Sequence, residues 1–364
     1  MKFTQDIIDF SKGDTTLFVA FADYWNHYCA IEKIGKERDY DRSVSFSEKE
    51  ASLNKAIVRE IVERSRVPYV NESNIKDAFT NPSVRYETFA VVGALIDSIL
   101  PQTLVDSIGL YTDVRFGGFG DSFTFDITPR DIFTVSKAGR AQKQSEVRRQ
   151  FRGQVAIVPE MHQITVGTFL YRLLSGSESL ADFTNKAIRS IETQMTLDAY
   201  SAFSTAMAAL DNTATTGLRV AGYSQSDLIR LCQQVSAWNG GASAVIVGTK
   251  LALANVLPND ANYRYDLDHE YVRMGYIRTA FGYDLMSIPQ VADHSTEFGL
   301  KISNSYIWIL SPTVDKLVKL CIEGSTLTYS DGQFENANLT QNTHMLKSWG
   351  VGIATSAIAG VLTV

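Results

Sequence analysis

The chain has 364 residues, with 34 basic and 40 acidic side chains for a formal charge of −6; 45% of residues are apolar, 20% charged and 11% aromatic. That apolar share can bury a sizeable core, which excludes a mainly disordered chain, and the acidic balance disfavours a sequence-reading nucleic-acid binder, a class that carries positive excess. Cys29, Cys232 and Cys321 are odd in number and far apart, so neither a disulfide framework nor a zinc spacing is expected, and a reducing compartment is the simple reading.

Met1 to Asp6 has no basic stretch followed by an apolar one, and the longest apolar run, Phe89 to Leu100, is broken by Asp97. A secretory signal and a membrane span are therefore not expected. The first third reads helical. Leu17, Phe18, Phe21, Tyr24, Trp25 and Tyr28 recur near helical spacing between Asp14 and Ile34, with Gly35 as the stop. Ser47 and Glu50 have the spacing of a capping box ahead of Ala51, Ile57, Val58 and Ile61. Asn81-Pro82 opens a third helix from Ser83 to Leu100, which Pro101 is expected to end. These helices read as an extended arm that needs other surfaces.

The character changes at Arg115. Gly117, Gly118 and Gly120 punctuate, then Ser122 to Ile127 alternates as a strand, with a second strand signal over Asp131 to Ser136. A polar, basic stretch, Lys137 to Arg152, has no buried periodicity; Gln154 to Val158 and His162 to Val166 return to strand chemistry. The expectation is a long hairpin with a charged tip, its base bent at Gly139 and Gly153, where glycine turns the backbone cheaply. A long helix follows from Glu178 to about Leu210, capped by Ser177 or Ser179; thirty-odd residues make a rod of roughly 45–50 Å.

The remainder alternates. Gln225 to Trp238 reads as helix, Ala244 to Val247 as a buried strand, and Thr249 to Leu257 as a helix ending before Pro258. Tyr283 to Ile288, Tyr306 to Leu310, Leu317 to Ile322, Thr326 to Tyr329, Met345 to Ala354 and Ala359 to Val364 read as strands. No internal repeat is present.

Catalytic motifs are mostly missing. Arg115 to Gly120 has glycines but no following Lys and Ser/Thr, and it precedes a strand, so turn glycines explain it. Gly-x-Ser-x-Gly is absent. His27 and Cys29 lie on different faces of one helix, and His162, His269, His294 and His344 stand singly. Asp266, Asp268, His269 and Glu270 form one dense acidic cluster, read as a solvated loop because a hard-cation loop needs more carboxylates at alternating positions. Val245 to Gly248 before a helix has only one glycine of the dinucleotide fingerprint. No catalytic residue, cofactor or metal is expected.

The basic segment stands out. Lys137, Arg140, Lys143, Arg148, Arg149 and Arg152 oppose Glu146 alone, in a chain that is acidic overall. A hairpin alone in water is marginal. It is sensible if its tip docks on an acidic surface of another subunit, which makes these seven residues candidate subunit-interface residues.

This order of parts resembles the major capsid proteins of tailed bacteriophages, the Hong Kong 97 type of α+β fold. Phe133 to Phe169 is similar to the extended loop and Glu178 to Leu210 to the spine helix; Ala244 to Pro258 and Phe281 to Leu285 are similar to the axial domain, and Met345 to Ala354 with Ala359 to Val361 to the long peripheral strand and its return. The resemblance divides the chain into a mostly helical N-terminal arm (1–114), a strand plus extended hairpin loop (115–176), the spine helix of the peripheral domain (177–222), an axial α/β domain (223–312), and peripheral strands returning to the axial domain (313–364). It implies a shell subunit that assembles with itself as hexamers and pentamers into an icosahedral virion head around double-stranded DNA held non-specifically. Portal, scaffolding or decoration proteins are the further partners it implies, with assembly in the host cytoplasm and no membrane partner. An encapsulin-like cellular shell is the alternative with the same fold, and an α/β enzyme using the acidic cluster is the alternative from another class. Some branches join an extended-loop lysine to a neighbour's asparagine; Lys137 or Lys143 with Asn336, Asn338 or Asn342 are the residues available, and nothing singles out a pair. With Met1 at the start, removal of a propeptide is not expected.

Overall fold

A computed structural model describes residues 5–32, 38–67, 81–108, 112–127, 153–168, 170–208, 217–256, 271, 273–288, 290–293, 297–330 and 341–364. Helices α1 (Gln5–Phe10), α2 (Thr16–Glu32), α3 (Phe46–Ser65) and α4 (Pro82–Ile108) come first. Strands β1 (Thr112–Gly117), β2 (Phe123–Ile127), β3 (Gly153–Ile157) and β4 (Glu160–Thr168) follow, then α5 (Leu170–Ser175) and the long α6 (Leu180–Ala208).

The N-terminal helices do not reach outward as an extended arm. Phe18, Phe21, Tyr24 and Trp25 of α2, Ile57 and Ile61 of α3, and Leu95, Ile96 and Ile99 of α4 join one buried core with Ile188, Ile191 and Met195 of α6. Burying side chains of this size stabilises by about 1.5–3 kcal/mol each, so the apolar stripes find their partner within the chain. Asn54 of α3 ties the same junction: its Oδ1 accepts Ala181 N–H at 3.0 Å and its Nδ2 donates to Ser179 Oγ at 3.0 Å. Ser179 is the cap of the spine helix, accepting Asp182 N–H at 3.1 Å. The 29 residues of α6 make a rod of about 43 Å.

Two helix boundaries differ from expectation. The capping box of α3 is Ser45 with Glu48, not Ser47 with Glu50: the Ser45 hydroxyl accepts Glu48 N–H, and the Glu48 carboxylate accepts Ser45 N–H at 3.2 Å. Pro101 does not end α4, which runs on to Ile108. Burial of Leu100 and Leu104 on the same core outweighs the single backbone bond that proline forfeits.

Four strands form a sheet in the order β1-β12-β13-β4, with β12 (Val318–Ser330) and β13 (Gln341–Ile353) each 13 residues long. β1 runs parallel to β12, and the other pairs are antiparallel. Leu317 to Ile322 and Thr326 to Tyr329 are therefore one strand. Between Glu323, opposite Ser348, and Leu327, opposite Leu346, the register shifts, and Gly324, Ser325 and Thr326 form a bulge against Lys347.

The expected hairpin is present in part. β2 pairs antiparallel with β3, Phe123 opposite Ile157 and Ile127 opposite Gly153, so the two legs bracket residues 128–152. The strand signal at Asp131 to Ser136 lies outside the described residues. β4 leaves the hairpin and pairs with β13 instead. Gly153 is an extended residue within β3; it is absent from the left-handed glycines, so the bend expected there is not made.

A second core lies under a six-stranded sheet in the order β5-β14-β11-β6-β8-β7: β5 (Arg219–Val220), β14 (Gly360–Thr363), β11 (Tyr306–Leu310), β6 (Val245–Thr249), β8 (Tyr283–Ile288) and β7 (Thr279–Ala280). Helix α7 (Gln225–Trp238) covers it with Leu228, Leu231, Cys232 and Val235. The helix expected from Thr249 to Leu257 is the single turn α8 (Lys250–Leu253), capped by the Thr249 hydroxyl. A small ladder, β9 (Ala292–Asp293) with β10 (Gly299–Leu300), completes the described elements. Asn239 locks the returning chain, donating to Ile358 O at 2.8 Å and accepting Ile358 N–H at 2.9 Å. Phe203 of α6 meets Trp308 of β11 edge-on at 5.0 Å, joining the spine to this sheet.

Candidate assembly surfaces

The base of the β2–β3 hairpin is a small core of its own: Phe123, Phe125 and Ile157 with Cys321 of β12. It needs two glycines opposite. A β-carbon at Gly350 would lie 2.7 Å from Val158 O, and one at Gly352 would lie 2.7 Å from the Ile157 side chain. Arg115 closes the other side, stacking 4.2 Å from the Phe125 ring and donating to Thr124 O at 2.8 Å. Buried Lys319 pairs with Asp315 at 2.6 Å. The hairpin is thus seated on the β12–β13 face, with its legs directed to residues 128–152. Lys137, Gly139, Arg140, Lys143, Glu146, Arg148, Arg149 and Arg152 all fall in that segment, outside the described residues.

Among the described residues, large apolar side chains are exposed around the two larger sheets, and Ile8, Val19 and Ile31 are exposed on α1 and α2. Around the four-stranded sheet, Tyr86 (71% exposed), Phe116, Leu327 and Tyr329 rim a groove of about 480 Å³ between α1, α4 and β12, and Val158 (77% exposed) and Met161 lie at the β3–β4 junction. Around the six-stranded sheet, Trp238 ends α7, Leu251 sits on α8, and Phe298, 96% exposed with φ 56°, precedes β10. Exposed apolar area of this kind is what permanent interfaces cover. Sequence reasoning did not single these residues out, because periodicity assigns an apolar side chain to a core without saying which chain supplies the other half.

The chemical alternatives are weaker in three dimensions. Gly118 N–H, the group a phosphate would use, donates instead to the Asp121 carboxylate at 2.6 Å. Burial pushes the Cys232 thiol up to about 12 and also raises Cys321, so neither is a ready nucleophile. His27 stacks on Tyr40 at 4.4 Å, and burial lowers its pKa. His162 lies flat on Trp349 at 3.6 Å, while the Trp349 indole donates to Asp198 at 2.9 Å. His344 stacks on Tyr329 at 4.6 Å. These are packing roles. Among the described residues there is no group of three His, Cys, Asp or Glu able to hold a metal. Asp266, Asp268, His269, Glu270 and His294 lie outside the described residues, as do Asn336 and Asn338; Asn342 is on β13, opposite Gly167.

No family model and no curated protein matches this sequence. Solved structures do. A chain from the capsid of a native GTA particle is 15% identical, the match covering 71% of this chain and 89% of that one at a TM-score of 0.50. The acid-stable capsid of Helicobacter pylori bacteriophage KHP30 is 13% identical over 69% of this chain and 87% of that one, TM-score 0.44. A virus-like particle from Pyrococcus furiosus is 13% identical over 73% and 97%, TM-score 0.42. With its spine helix, seated hairpin and two sheets, this chain has the Hong Kong 97-type capsid fold.

Proposed function

We propose that this chain is the major shell subunit of a tailed-phage-like virion, assembling with itself as hexamers and pentamers into an icosahedral head around double-stranded DNA. The fold carries this reading: structures that share it are capsid chains. Physical features support it. Rings and closed shells are built from heterologous contacts, in which different patches of one subunit meet, and this chain exposes apolar side chains around its four-stranded and its six-stranded sheet. A wall with a net charge of −6 holds packaged DNA loosely, because it releases few counterions from the phosphates. On this reading the chain has no enzymatic activity, resides in the virion after assembly in the host cytoplasm, and meets portal, scaffolding or decoration proteins through its outer surfaces. Among the described residues no helix is long and apolar enough to cross a membrane.

Electron microscopy of the purified protein tests this directly. Closed shells of megadalton mass, or ring-shaped hexamers and pentamers, are expected; a small oligomer that forms neither would overturn the proposal. Shells that hold a protein cargo and no nuclease-protected DNA would reassign the same fold to a cellular compartment.

A further inference from the structure

The bulge in β12 is surrounded by polar contacts that come from three different elements. The Asp97 carboxylate of α4 accepts Thr326 N–H at 2.7 Å, Thr326 Oγ1–H at 2.6 Å and Lys347 Nζ at 2.7 Å. Lys347, almost wholly buried, also donates to Gly324 O at 2.8 Å. Helix and bulge approach closely, since a β-carbon on Gly93 would lie 3.2 Å from Thr326 O. On its other side the bulge holds the turn that launches the hairpin. Glu323 accepts Gly120 N–H at 2.7 Å and Ser348 Oγ–H at 2.9 Å. Phe119 lies against Gly324 so closely that a β-carbon there would collide with its ring. The turn is tight: Gly118 N–H donates to Asp121 at 2.6 Å, and Gly120 has φ 84°.

We infer that this bulge is a mechanical coupling that lets α4 set the angle of the hairpin's β2 leg. The two legs share the small core on β12–β13 and the ladder between them, and the contacts of residues 118–121 with the bulge are a second hold, made where the β2 leg begins. The chain of contacts runs from Asp97 through Thr326 and Lys347 to the bulge, and from the bulge through Phe119 and Glu323 to residues 118–121. A bulge is a ladder defect that aims what is attached to it, and here it aims the leg that leads into the basic segment. A shift of α4 along its axis therefore reaches the hairpin without passing through β3. This holds for the single chain, whether or not it builds a shell.

Amide hydrogen exchange on the unassembled chain tests the coupling, because it reads local opening segment by segment. Phe119→Ala removes a half-exposed ring and is expected to speed exchange over 118–127 by tenfold or more, with the β4–β13 ladder unchanged. Thr326→Val, which deletes one donor to Asp97 and leaves Lys347 neutralised, is expected to do the same from the helix side. In the double variant the two effects should overlap, the second adding less than about threefold, since both break one series of contacts. Multiplicative effects, or a Thr326→Val protein whose 118–127 exchange is unchanged, would overturn the inference. Asp97→Asn gives a stronger version where it folds; exchange raised uniformly across all strands in the Thr326 variant would also count against it.

Discussion

Gly350 illustrates how one residue decides whether two layers can meet. Its missing side chain lets the β3 backbone lie directly on β13, and Cys321 fills the space beside it. Gly350→Ala would bring a methyl within 2.7 Å of a backbone oxygen that cannot rotate away. We expect a loss of about 1–3 kcal/mol, the usual cost of overpacking, read as a lower urea midpoint with an unchanged slope. Cys232 makes a prediction about pH. Burial raises its thiol pKa to about 12, above the ordinary value of about 8.5. The unfolded chain therefore releases this proton first, and the stability present below about pH 8.5 is lost as pH climbs toward 12. Tyr283, raised by burial, adds to the same alkaline loss. Cys232→Ala should flatten the slope of unfolding free energy against pH in that window; an unchanged slope would contradict the assignment.

At the scale of elements, tertiary contacts move boundaries that local signals place nearby. Ser45 and Ser47 both precede a glutamate by three, and only the extended backbone at Ser45, with φ −67° and ψ 154°, lets the hydroxyl turn back to the first-turn amides. Ser45→Ala should cost about 1 kcal/mol in thermal unfolding. Ser47→Ala, on an exposed helical position, should cost almost nothing. Equal losses for the two would show that the cap lies elsewhere. Pro101 makes the same point from the other side: a breaker is overruled when apolar residues on both sides of it have a core to enter. The β12 bulge was unreadable for a related reason, as Gly324-Ser325 is turn chemistry until Asp97, 229 residues away in sequence from Thr326, supplies the acceptor.

For the whole molecule, charge is distributed unevenly. Between Lys137 and Arg152 lie six basic residues and one acidic, so the rest of the chain has 28 basic against 39 acidic residues, a net −11. A segment of one sign on a body of the other favours heterologous contact between copies and sets which face is met. Arg148→Glu combined with Arg149→Glu should leave the circular dichroism spectrum unchanged and abolish assembled particles in electron micrographs. Assembly of normal shells by that variant would remove the basic segment from the interface. Ionic strength offers a second check, because exposed charge pairs are screened within about 8–10 Å at physiological salt; high salt should slow assembly of the unmodified chain.

The order of parts was legible from the residues alone: the 3.6-residue stripes of α2, α6 and α7, the strand runs at β8 and β11, and the unusual charge of 137–152 are local properties of the sequence. Local periodicity records that a face is apolar. What it meets is a matter of three-dimensional packing. So the N-terminal helices, whose stripes suggest a need for other surfaces, are satisfied by the spine helix of their own chain. The separation of β4 from the hairpin, the seat at Gly350 and Gly352, and the Asp97–Lys347 contact at the bulge likewise depend on pairings across tens to hundreds of residues. Such pairings are selected by the free energy of the assembled core, which no short stretch of sequence contains.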